Sequence, residues 1–154
     1  PLHMQVVELL KLRGKKLCAA ESFTGGGVTK RIVDVPGASE ILYEGVVAYA
    51  NEAKMRRLGV RGETLRTQGA VSDETAYEMA AGLIASGCCT VSVATTGIAG
   101  PASDNTNKPV GLCYLAVGTA ESVYVYKYIF EGSREEVTER AINQTLFLLY
   151  KKIR

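Results

Sequence analysis

Three consecutive glycines, Gly25-Gly26-Gly27, separate the apolar run Leu17-Cys18-Ala19-Ala20 from a segment that carries Val28 and Ile32 on one helical face. Glycine turns a chain tightly at no steric cost, so this stretch reads as a strand, a sharp turn and a helix start. The turn holds a hydroxyl, in Ala20-Glu21-Ser22-Phe23-Thr24. Two readings fit it. A Ser or Thr before a helix is an ordinary N-cap. A serine beside glycines that allow close backbone approach, with free N–H groups at the helix start, is also a candidate nucleophile next to a place for an anion or a developing oxyanion.

Strand-like and helix-like segments alternate along the rest of the chain. Residues 2–13 place Val6, Leu9, Leu10 and Leu12 at roughly helical spacing, and Gly14 ends the run. Residues 16–20 predict the first strand, 24–34 the helix after it, and 36–39 a loop. Residues 42–50 predict a second strand, and Asn51 to Lys54 start a short helix closed by Gly59. A helical turn is expected at 63–68 and a brief extended piece at Gly69-Ala70-Val71. Ser72 caps a helix with Asp73 and Glu74 in its first turn, where the helix dipole favours acids. The β-branched run 89–95 predicts a central strand, and 96–108 a long polar loop. Segments 110–118 and 122–130 form a hairpin in which Tyr124, Tyr126, Tyr128 and Phe130 are expected to pack as one sheet face. Ser133 and Glu136 form a capping box that opens a terminal helix. The order predicts an α/β fold: a three-layer α/β/α domain with a mixed, mostly parallel sheet and an antiparallel hairpin near the C-terminus.

Composition narrows the function. At 154 residues, 47% hydrophobic and 22% charged, the chain is expected to form one domain over 1–154 with its own core. A net charge of +2 and no basic stripe interleaved with aromatics argue against a nucleic-acid partner. The apolar runs are strand-sized and the start resembles no signal peptide, so no membrane partner and a cytoplasmic location are expected. Beginning at Pro1 suggests a piece of a longer chain, with a possible fused domain ahead of it. Cys18, Cys88, Cys89 and Cys113 lie in apolar runs without CxxC spacing, and are expected to be free and buried. The one histidine is His3, which leaves no metal site and no histidine-based triad. Any general base is then Lys, Glu, Asp or Tyr.

In such folds ligands sit beyond the carboxyl ends of the parallel strands. Three unusual segments are placed there: Glu21 to Gly26, Tyr49 to Lys54, and Thr95 to Pro101. Lys54, one helical turn past the second strand, is the best candidate base for Ser22. A lysine serves as a base when burial or a nearby cation lowers its pKa, and Ser–Lys pairs carry out acyl transfer. Tyr49 is a candidate for relaying the proton or bonding the lysine, and Thr96 for positioning Lys54 or substrate. The amides of Thr24, Gly25 and Gly26, and those of Gly97, Ala99 and Gly100, are candidate oxyanion donors. Each group also has a plain structural reading: a solvated lysine, a strand-end tyrosine, a turn-capping threonine.

Four motifs in order resemble those of one family. They are Ala20 to Gly26; Gly45 to Lys54; Gly69-Ala70-Val71-Ser72 with Thr75-Ala76 and Met79-Ala80; and Thr96 to Pro101 with Lys108-Pro109-Val110-Gly111. The chain resembles the CinA C-terminal domain family, the nicotinamide-nucleotide amidases, over nearly its whole length. The resemblance implies hydrolysis of the carboxamide of nicotinamide mononucleotide to nicotinic acid mononucleotide and ammonia, with no cofactor. By matching position it implies Ser22 as nucleophile, Lys54 as general base, and Tyr49 and Thr96 as supporting catalytic groups. Asn51 joins the substrate-binding set, and Lys108 or Arg134 would meet the nucleotide phosphate. A homo-oligomer, with a dimer favoured, is expected through the tyrosine-rich hairpin or the first helix.

The chain departs from the family pattern at three places. Ala102-Ser103-Asp104 stands where a Gly-Gly pair usually follows the proline, and Asp104 would repel a phosphate. Thr138 stands where an Arg often follows the valine of the last helix, and Phe23 replaces a commoner Cys. The rival reading is a catalytically weak or inactive nucleotide-binding or regulatory domain. A dinucleotide-binding fold is disfavoured, because the glycines do not give GxGxxG.

Overall fold

Strand β1 (Leu17–Glu21) is buried at every residue, as a strand covered on both faces must be. The computed structural model describes residues 1–154 and places β1 inside a five-stranded sheet of order β2-β1-β3-β4-β5. The other strands are β2 (Leu42–Val47), β3 (Val91–Gly97), β4 (Leu112–Thr119) and β5 (Val123–Ile129). β2 and β3 pair parallel with β1, β4 pairs antiparallel with β3, and β5 antiparallel with β4. Ala20 is in register with both Val46 and Ala94, so the carboxyl ends of the three parallel strands lie side by side.

Helices α1 (Leu2–Leu12), α2 (Gly27–Val33) and α6 (Arg134–Ile153) cover one face of the sheet. Helices α3 (Asn51–Leu58), α4 (Gly62–Thr67) and α5 (Asp73–Ala85) lie on the other. The two faces differ in bulk. Leu17, Val91, Val93, Leu115 and Val117 meet α1, α2 and α6. Cys18, Ala20, Ala94 and Ala116 face the second layer, where α5 brings the equally small Ala76 and Ala80. Small side chains on both sides let helix and sheet approach, and the Ser92 hydroxyl donates across that contact to the Ala80 carbonyl at 2.9 Å. The same economy of bulk docks α3 on α5: a Cβ on Gly82 would collide with the Leu58 carbonyl. The helix that carries Lys54 is therefore held tightly against α5.

The predicted elements hold with local corrections. α2 starts at Gly27, three residues later than expected, because Gly25 and Gly26 take φ of +60° and +98° and form the turn itself. Gly69-Ala70-Val71 is a bend and not an extended piece. Its carbonyls are bound by side chains: Gly69 by the Ser72 and Thr75 hydroxyls, Ala70 by Thr96, and Val71 by Lys108. The expected loop at 36–39 runs into a single 3-10 turn, Ala38–Glu40. The aromatic row of β5 does not pack as one face. Tyr128 and Phe130 stack and join the core, but Tyr124 and Tyr126 are exposed, because α6 packs on β3 and β4 and reaches this edge strand only with long polar side chains, Gln144 to the Tyr128 hydroxyl and Lys152 over the Tyr124 ring. All four cysteines are free, and Cys88 is half-buried at a turn after α5. No helix is long and apolar enough to cross a membrane.

Candidate active site

The end of β1 delivers Glu21 and Ser22. Ser22 is 7% exposed, and the turn after it closes through Gly25 N–H to the Ser22 carbonyl at 3.0 Å and Gly27 N–H to the Thr24 carbonyl at 2.9 Å. The chain leaving β2 is tied to the same turn, since Ala48 N–H donates to the Glu21 carbonyl at 2.9 Å. Ala50 then caps α3, and Lys54 stands on its first turn.

Lys54 points back under the turn and is 1% exposed. Its Nζ lies 3.0 Å from Ser22 Oγ and donates to the Tyr49 carbonyl at 2.8 Å. No carboxylate pairs with it; the ion pairs of the chain are all elsewhere. Burial alone, uncompensated by an anion, pulls its pKa from 10.5 down to about 8. At pH 7 about a tenth of the amine is then neutral, against well under a thousandth for a lysine in water. In that form the Ser22 hydroxyl donates to the Nζ lone pair, while the Tyr49 carbonyl accepts an N–H and orients the amine.

The structure redistributes several expected roles. Tyr49 meets Lys54 through its carbonyl; its side chain is 61% exposed, has no bond to Lys54 and lines a small recess. Thr96 is buried, but its hydroxyl donates to the Ala70 carbonyl at 2.7 Å and reaches neither Ser22 nor Lys54. Side chains alternate along a strand, so the neighbour, Thr95, takes the opposite face. Thr95 Oγ1 accepts the Ser22 N–H at 3.3 Å and lies 2.8 Å from the Thr24 hydroxyl. Lys108 is committed to the Gln68 and Val71 carbonyls at 2.6 and 2.5 Å, so its ammonium straps the 101–108 loop to the bend before α5. Asn51 is exposed on the first turn of α3 and makes no side-chain hydrogen bond within the chain.

The start of α2 is not the open anion site that the glycines suggested. The Glu21 carboxylate occupies it, accepting the N–H groups of Val28 at 2.9 Å and Thr29 at 2.8 Å. The Ser22 and Gly25 amides are engaged as well. The amides of Thr24 and Gly26 have no partner in the chain, nor do those of Phe23, Ala99 and Gly100. These are the donors that remain for a developing oxyanion. Neither Glu21 nor Thr95 was singled out by sequence reasoning. The signal was present in Glu21, Thr24 and Thr29 flanking the glycines, an acid with hydroxyls at both ends of one turn.

A recess of about 160 Å³ is lined by Phe23, the residue after Ser22, and by Tyr49, whose carbonyl holds Lys54; Ser22 and Lys54 themselves do not line it. Phe23 and Tyr49 form one wall, the 97–100 backbone the floor, and Ala102, Ser103, Asp104 and Arg134 the rim. Gly97 is needed here: a Cβ would sit 2.7 Å from Cys113 Cβ and 2.9 Å from the Phe23 ring. Arg134, the first residue of α6, donates to the Gly100 carbonyl at 2.6 Å and keeps further N–H groups for a ligand. A larger groove of about 660 Å³ runs between α3 and α5, but no nucleophile–base pair faces it.

A family model described as the CinA C-terminal domain matches residues 1–153. A CinA-like protein of Chloroherpeton thalassium is 43% identical over 97% of the chain and 37% of its own length. A CinA-like protein of Kosmotoga olearia is 46% identical over 88% of the chain and 33% of its own length. The chain thus spans little more than a third of the curated relatives it matches. Among solved structures, the competence or damage-inducible protein of Enterobacter asburiae superposes with a TM-score of 0.95 at 31% identity, covering 99% of this chain and 96% of that one. The competence/damage inducible protein of Agrobacterium tumefaciens gives a TM-score of 0.93 at 34% identity, covering 97% and 92%.

Proposed function

The chain belongs to the CinA C-terminal domain family, and from that premise we propose that it hydrolyses the carboxamide of nicotinamide mononucleotide, giving nicotinic acid mononucleotide and ammonia. The observation that carries this reading is the 3.0 Å contact between Ser22 Oγ and a buried amine without a counter-ion. A structural lysine in such a place is normally paired with a carboxylate. A base is left unpaired so that it can be neutral.

Ser22 Oγ attacks the amide carbon while Lys54 Nζ takes its proton. Unpaired backbone amides of the Ser22 turn or of 99–100 bind the oxyanion. The Lys54 ammonium then returns the proton to the leaving nitrogen, the C–N bond breaks and ammonia departs. Water, deprotonated by the same amine, attacks the Ser22 ester; the ammonium then gives that proton to Ser22 Oγ as the Oγ–C bond breaks and the acid is released. Arg134 on the rim meets the nucleotide phosphate, and Tyr49 holds Lys54 through its carbonyl. Fusion to a further domain and homodimerisation belong to this reading of the longer protein.

The rival reading, a nucleotide-binding module without turnover, is favoured by one observation: Asp104 lines the rim where a phosphate would approach. Ammonia release from nicotinamide mononucleotide decides. Wild-type turnover that falls by about 10³ or more in Ser22→Ala and Lys54→Ala supports the amidase. Tight binding without ammonia release supports the module.

A further inference from the structure

We infer that Glu21 is the positioning residue of the nucleophile turn, acting on Ser22 through a one-way chain of hydrogen bonds that runs across Thr24 and Thr95. The inference rests on Ser22 being the nucleophile. Glu21 is 0% exposed and accepts four bonds. Oε1 takes the Thr24 hydroxyl at 2.6 Å and Val28 N–H at 2.9 Å. Oε2 takes Thr29 N–H at 2.8 Å and the Thr29 hydroxyl at 2.7 Å.

These four bonds set the direction of everything behind them. Thr24 has one hydroxyl proton, and the carboxylate holds it. The 2.8 Å contact between Thr24 and Thr95 must therefore be donated by Thr95. With its own proton committed, Thr95 Oγ1 is left as an acceptor, and Ser22 N–H fills it at 3.3 Å. The order is Ser22 N–H to Thr95, Thr95 O–H to Thr24, and Thr24 O–H to Glu21. Chains that end on a charge are the strong ones, and each link polarises the next. The chain locks the Ser22 backbone to β3, the strand beside it, and so keeps Oγ within reach of Lys54 from the other side of the turn. It also withdraws the Ser22 amide from oxyanion binding and closes the start of α2 to substrate anions.

A plain helix cap would steady α2 without touching the reactivity of Ser22, and this separates the two roles. The test compares wild type with Thr95→Val, Thr95→Ser and Glu21→Gln. In Glu21→Gln the amide NH2 faces a fixed backbone N–H whichever way it turns, that of Val28 or that of Thr29. The readouts are the thermal midpoint, the rate at which phenylmethylsulfonyl fluoride labels Ser22 by intact mass, and kcat and KM for ammonia release from nicotinamide mononucleotide. Thr95→Val is isosteric and should slow both labelling and kcat about tenfold or more, with KM within about twofold. Thr95→Ser should return both to within about threefold of wild type, because it restores the relay oxygen. Glu21→Gln should match Thr95→Val; if it does not fold, the Thr95 pair decides alone. Labelling of Thr95→Val at the wild-type rate, or Thr95→Ser as slow as Thr95→Val, overturns the inference. The substrate reading fails separately: a wild type that is labelled but releases no ammonia removes the substrate and leaves the positioning chain standing. A wild type that does neither removes both.

Discussion

Replacing Lys54 by methionine should stabilise the protein at neutral pH while abolishing its chemistry, and the gain should disappear in alkali. Burial lowers the Lys54 pKa from 10.5 to about 8. Between those two values the unfolded chain binds a proton that the folded chain has given up, so wild-type stability rises with pH across that window. At about 1.4 kcal/mol per pH unit, the rise amounts to about 3 kcal/mol. Below pH 8 the wild type carries the whole cost of burying an ammonium, and above 10.5 it carries none. Methionine fills a similar volume and has no proton to lose. It also leaves the Ser22 hydroxyl and the Tyr49 carbonyl short of a partner, which costs about 1–2 kcal/mol at any pH. The variant should therefore exceed wild type by about 1–2 kcal/mol at pH 7 and fall below it by a similar amount at pH 10.5. Urea unfolding of both proteins at the two pH values measures this, and contributions from other titrating groups cancel in the difference. A wild-type-minus-variant difference that does not move with pH would refute the claim that this amine is buried at a cost to the charged form.

Three further outcomes follow from the same geometry. Wild-type kcat/KM should climb about tenfold per pH unit up to about 8 and then level off, because only the neutral Lys54 amine accepts the Ser22 proton; initial rates from pH 6 to 9.5 check it, and a flat profile speaks against the lysine as base. Gly97→Ala pushes a methyl group into the Phe23 ring and Cys113, so it should cost about 1–3 kcal/mol in thermal unfolding and weaken turnover by shifting one wall of the recess. Arg134→Met removes the bond to the Gly100 carbonyl and the cation on the rim; KM for the nucleotide should rise about tenfold with kcat within about threefold, and steady-state kinetics distinguishes this from a loss confined to kcat.

Much of the fold was legible because its signals are local. The glycine turn after β1, the Ser72 cap, the Ser133–Glu136 box and the Gly59 stop each depend on a few adjacent residues, and the structure keeps all of them. The register of β1 with β2 and β3 then brings three distant segments to one edge, as the alternation of elements predicts. The errors came where a backbone group finds its partner far along the chain. Gly69-Ala70-Val71 bends because side chains from Thr75, Thr96 and Lys108 bind its carbonyls. Tyr124 and Tyr126 stay exposed because the apolar face of α6 packs on β3 and β4 and only the Lys152 side chain reaches over Tyr124.

The amino-acid order by itself determined that a serine would stand in a glycine turn at a strand end and that a lysine would start a helix one strand away. It also determined the family to which the chain belongs. Only the folded arrangement decided that Lys54 is buried without a counter-ion, that Tyr49 holds it by a carbonyl, and that Thr95 rather than Thr96 bonds Ser22. Residue identity dictates which bonds a group can make. Packing dictates how much water it loses and which of two strand faces it occupies, and those two quantities set the proton affinity and the aim of the groups in this site.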